Sequence, residues 1–84
     1  MNDYYVAIRR ESGTRNFAIT ARSASSNLHW RIRNNTVTHT NKDGRKCEFS
    51  IIMDGMDGKV AKRLKEFMVG ALVSSGYTQI YNGA

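Results

Sequence analysis

A chain of 84 residues makes one domain, here spanning residues 1–84, and a domain this small buries only about two-thirds of the surface its unfolded form exposes, which limits its stability to a few kcal/mol. Apolar residues at 40% and aromatics at 10% exclude a disordered tail, and a single cysteine, Cys47, excludes a disulfide-stapled scaffold. Thirteen Lys and Arg against seven Asp and Glu give a formal charge of +6, which argues against a nucleic-acid mimic and for a negatively charged partner.

Met1 to Arg10 holds only short apolar pieces, too short for the apolar stretch of a secretion signal. No run has the length of a membrane span, so a cytoplasmic location is expected. Tyr4, Val6 and Ile8 alternate with Tyr5, Ala7 and Arg9, which is a strand period. Ser12 to Asn16 is rich in turn residues, and Phe17, Ile19 and Ala21 resume the alternation to complete a hairpin. Ser23 to Arg33 fits two periods. Leu28, Trp30 and Ile32 alternate as a strand would, whereas Ala24, Leu28 and Ile32 mark one helical face. Ser23 as a cap and Asn34-Asn35 as a stop favour the helix; the strand alternative gives a curved meander backed by one helix.

Thr36 to Thr40 is β-rich, and Lys42-Asp43-Gly44-Arg45 places Asp-Gly at the centre of a two-residue turn, with Gly44 at positive φ. Lys46 to Met53 is the returning strand, in which Cys47 alternates with Phe49 and Ile51 and reads as buried rather than reactive. Asp54 to Gly58 breaks that strand. Val60, Leu64, Phe67, Met68, Ala71 and Leu72 then outline the apolar face of a long helix, with Leu64 and Phe67 at its centre. Asp57 caps its start and Gly76 its end, and Tyr77 to Tyr81 adds a short strand. The order β-β-α-β-β-α-β predicts an α+β fold, with a largely antiparallel sheet of about five strands and the C-terminal amphipathic helix on one face.

The cations fall into three groups, and a pI near 9.9 points to nucleic acid only where charge is clustered. Lys59, Lys62, Arg63 and Lys65 lie on the polar side of the long helix. Such a face is usually just solvated. Here, though, three of the cations sit in the first two turns, where the helix dipole disfavours each by about 0.3 kcal/mol or more, and Glu66 pairs only in the weaker order behind Lys62. A positive helix start carrying lysines suits a phosphate. His39, Lys42, Arg45 and Lys46 surround the Asp-Gly turn, either to rest on a phosphate backbone or simply as a polar tip whose edge lysines discourage aggregation.

The third group is all arginine: Arg9, Arg10, Arg15, Arg22, Arg31 and Arg33, near Tyr5, His29 and Trp30. Guanidinium forks onto phosphate and stacks on rings, and aromatics beside it suit the unstacked bases of single strands. Against this, Trp30 is the type of residue that fills a core, and alternation divides the arginines between faces.

Enzyme signatures are missing. His29, His39 and Cys47 lack metal-ligand spacing, and the run from Asp54 to Lys59 begins like a calcium loop without its later ligands. No phosphate loop or nucleophile elbow occurs, and a metal-independent nuclease using His29 or His39 is the only enzymatic reading left. No cofactor and no metal are expected.

The run Phe17-Ala18-Ile19-Thr20-Ala21-Arg22-Ser23, a hairpin strand leading into a capped helix, resembles in style the small accessory proteins of bacteriophages, including anti-CRISPRs and toxin inhibitors. The resemblance implies a protein that blocks a host nucleic-acid enzyme by occupying its surface. Its basic charge departs from the acidic DNA mimics among them, and implies binding to RNA, DNA or a nuclease together with its nucleic acid. The leading expectation is a non-catalytic nucleic-acid-binding module, RNA or single strands ahead of duplex DNA. The alternative is a protein–protein inhibitor or adaptor whose basic face docks on an acidic or nucleic-acid-bound host protein, with a structural virion protein third.

Overall fold

The computed structural model describes residues 3–25, 27–32 and 37–80. Seven elements follow one another: β1 (Tyr4–Glu11), β2 (Asn16–Ser23), α1 (Asn27–Ile32), β3 (Val37–Thr40), β4 (Lys46–Met56), α2 (Gly58–Ser74) and β5 (Thr78–Gln79). They build an α+β fold around one five-stranded sheet in the order β3-β4-β1-β2-β5. All neighbours are antiparallel except β5, which pairs parallel to β2. Among the described residues no helix is long and apolar enough to cross a membrane.

Alternation in β1 and β2 sorts side chains to two faces, and each face is covered differently. Val6, Phe17, Ile19, Met56 and Ala61 form the core beneath α2, which lies over β2 and β1. Burying a side chain the size of Phe17 contributes about 1.5–3 kcal/mol, so this face supplies most of the drive to fold. On the reverse side Tyr5, Ala7 and Ile32 gather Val37, Phe49 and Ile51. Cys47 is fully buried in β4, with a free thiol.

Several boundaries differ from the sequence-based expectation. Ser23 does not cap α1, because it still pairs with Tyr4 as the last residue of β2; the helix begins at Asn27. The expected stop at Asn34-Asn35 lies outside the described residues. Asp54-Gly55 bends β4 instead of ending it. Tyr4 pairs with Met56, Val6 with Met53 and Ala7 with Ile51, so β4 carries two bulges and reaches Met56. Pairing to the central strand overrides the local turn signal.

The second hairpin also differs in kind. Asn41 and Arg45 pair through Asn41 N–H to Arg45 O at 2.9 Å, and Gly44 N–H donates to Asn41 O at 3.0 Å. Lys42 and Asp43 are therefore the centre of the turn, and Gly44 follows at φ 79° as the left-handed residue of a three-residue loop. The requirement for glycine survives the change of turn type.

α2 starts where Asp57 accepts from Lys59 N–H at 3.0 Å. It ends with Gly76 at φ 94°, Gly76 N–H on Val73 O and Tyr77 N–H on Leu72 O, both at 3.0 Å, which is a Schellman stop. Its buried row is narrower than the apolar pattern implied. Ala61 is fully buried and Leu64, Met68 and Leu72 pack on the core, but Val60 is 52% and Phe67 75% exposed. The sheet accepts one row of the helix, and Phe67 lies on the next.

Candidate nucleic-acid interface

The face away from α2 holds a place where a cation and two rings are stacked together. Arg9 sits directly across from Phe49 in the β1–β4 ladder, and its guanidinium carbon lies 5.8 Å from the ring centroid. His39, on β3, stacks against the same ring at 5.3 Å and 24°. Arg9, Phe49 and His39 thus form a row across three strands, with Arg9 and Phe49 half-buried and His39 exposed. Arg9 Nε is buried without a hydrogen-bond partner. A buried donor in that state costs about 1–3 kcal/mol, of which the ring contact returns only part.

The row borders a cleft of about 590 Å³ between the β3–β4 hairpin tip and the end of β5. At its floor Glu11 is buried, 7% exposed, and accepts from Arg45 Nη1 at 3.1 Å and Asn16 Nδ2 at 3.4 Å. Arg45 therefore holds the hairpin to β1 as well as facing the cleft. Asn41 Oδ1 accepts from the backbone N–H groups of Asp43 and Arg45, both at 3.0 Å, which stiffens the tip and keeps Lys42 exposed at its apex.

The remaining candidates divide. Arg22 lies opposite Tyr5 on the same face, half-buried, and Arg31 is exposed on α1, whose Ile32 packs there. Lys46 precedes Cys47, the ladder partner of His39, so alternation turns it to the other side. Arg10 pairs with Phe17 and Glu48 and belongs to the α2 side. The Arg15 side chain packs over Tyr77 at 5.8 Å and its backbone carbonyl accepts from Thr78 N–H at 2.8 Å, which secures β5. Arg33 is outside the described residues.

The helix group does not stay together either. Lys59, Lys62 and Arg63 are exposed, but Lys65 follows buried Ala61 by one turn and is half-buried on the sheet side. The amide site at the helix start is taken by Asp57, the chain's own carboxylate. These cations and the cleft lie on opposite sides of the sheet.

His29 and Trp30 reverse their expected roles. Trp30 is 65% exposed on α1, whereas His29 is buried, with Nε2 2.9 Å from Asp54 Oδ2 and its ring 4.8 Å from Tyr5. The pair fastens α1 to the β4 bulge. Among the described residues no three His, Cys, Asp or Glu side chains converge as a metal site would need. Sequence reasoning missed Phe49 as the ring of the stacked row and Glu11 and Asn41 as parts of the cleft; only the turn chemistry of Asn41, three residues before Gly44, carried a local signal. No protein-family model, curated protein or solved structure matches the chain.

Proposed function

We propose that the protein is a non-catalytic nucleic-acid-binding module whose cleft face receives unpaired bases of RNA or single-stranded DNA. The row of Arg9, Phe49 and His39 at the cleft edge carries this reading. A base laid on exposed His39 extends a stack that already exists, and such stacking contributes about 1–3 kcal/mol per base. Lys42, Arg45, Arg22 and Arg31 supply positive charge for the backbone, and a base held inside a duplex offers no free ring face.

Fluorescence anisotropy with a short labelled oligo(U), its DNA counterpart and a duplex tests the proposal. Single strands bind more tightly than the duplex, with a log–log salt slope of about −3 for four phosphate contacts. His39→Ala weakens binding roughly tenfold, the equivalent of one base stack, and leaves the thermal melt unchanged. Lys62→Glu with Arg63→Glu, on the other side of the sheet, changes affinity much less. Absence of binding to all three probes at low salt overturns the reading, and the inhibitor docking on an acidic or nucleic-acid-bound protein then takes its place.

A further inference from the structure

α2 carries more apolar surface than its own sheet accepts. Val60 and Phe67 are 52% and 75% exposed, and Ala71 is exposed beyond them. With half-buried Leu64 they recur at alternating steps of four and three, the seam spacing of helices packed side by side. Gly70 lies beside this seam in mid-helix, where glycine costs about 1 kcal/mol relative to alanine. A Cβ at Gly70 would meet nothing within 4 Å, so no packing inside the chain requires the glycine. A second helix backbone passing close by does require it.

Charge decides what that second helix is. Lys59, Lys62, Arg63, Lys65 and Glu66 crowd the first half of α2, and Phe67 to Tyr77 has no charged side chain. Two parallel copies would set cations against cations. Two antiparallel copies set each cationic half against the other's uncharged half, at the helix end where the dipole favours positive charge. The same two-fold lays Phe67 of each copy across Gly70 of the other, a self-complementary contact.

We propose that the outer face of α2 is a homodimer interface, with two copies of the helix packed antiparallel and Phe67 seated over the partner's Gly70. The inference is independent of nucleic-acid binding, since the cleft lies across the sheet. One helix pair is a small interface, so a dissociation constant in the micromolar range is expected.

Sedimentation velocity of the full chain without nucleic acid, over a concentration series spanning that range, tests it. The mass rises from one chain to two. Phe67→Asp holds it at one chain while the circular-dichroism melt stays near the parent's, because Phe67 is three-quarters exposed in its own chain. Gly70→Leu, which favours the helix itself, weakens association at least tenfold. Arg63→Cys mixed with Ser74→Cys cross-links under oxidation and neither variant does so alone, since the antiparallel register brings position 63 to 74. A single-chain mass throughout, a dimer indifferent to Phe67→Asp, or cross-linking of Arg63→Cys with itself overturns the proposal.

Discussion

The two faces of the sheet are built on different terms. Under α2 the contacts are apolar and the side chains interchangeable in kind: Val6, Phe17, Ile19 and Met56 need only size and a shared side. The reverse face mixes Tyr5, Ala7 and Phe49 with a buried carboxylate, a buried histidine and a stacked arginine. Apolar burial there is smaller, and the buried carboxylate and histidine are each held by a named partner. The comparison separates a face that holds the fold from a face that the fold holds in place, and it can be tested by substitution.

The largest effect belongs to the α2 face. Phe17→Ala removes the largest apolar side chain of that core and costs about 3–5 kcal/mol, close to the whole stability of so small a chain. Circular dichroism should find it largely unfolded at room temperature; a cooperative melt near the parent's would show that α2 is not the chief support.

The reverse face should give smaller, partner-dependent losses. Glu11→Ala strips the acceptor from Arg45 and Asn16 and costs about 1–3 kcal/mol, read as a shift in the urea midpoint. If Arg45→Ala in that background costs as much as in the parent, the two residues are not coupled and the buried pair is not what secures the hairpin. Gly44→Val should cost about 1–2 kcal/mol by forcing a branched residue to φ 79°, while Lys42→Ala stays within about 0.5 kcal/mol. The smallest effect sharpens the boundary of the α2 face. Phe67→Ala should change stability by less than about 0.5 kcal/mol and Leu64→Ala by about 1–2 kcal/mol, in thermal melts below the dimerising concentration.

Local chemistry made much of the fold legible. Alternation located β1 and β2, Asp57 and Gly76 bounded α2, and Asp-Gly marked a glycine at positive φ. What failed depended on distant parts. The helical period shows an apolar arc on α2 but not which row the sheet will take, so Val60 and Phe67 read as buried. Asp54-Gly55 looks like a break until β1 is known to be the central strand that draws it into pairing.

The site was less legible than the fold for the same reason. Alternation separates Arg9 from Arg10, yet nothing local says which side α2 will cover. Glu11 meets Arg45 from across the sheet, and His29 meets Asp54 only once α1 has docked. Phe49 was legible as a strand residue in alternation with Cys47; its role as the surface on which Arg9 and His39 stack comes from three strands lying side by side.

The central place of β1 also bears on how the chain is made. β2 emerges just behind β1 and closes one of its edges, whereas the strand that closes the other, Lys46–Met56, leaves the ribosome much later. At about 5–20 residues per second the nascent hairpin waits for seconds with a long open edge, free to pair with any other unfinished chain. Arg9 and Arg10, side by side on that edge and pointing to opposite faces, are well placed to keep newborn copies apart until β4 arrives.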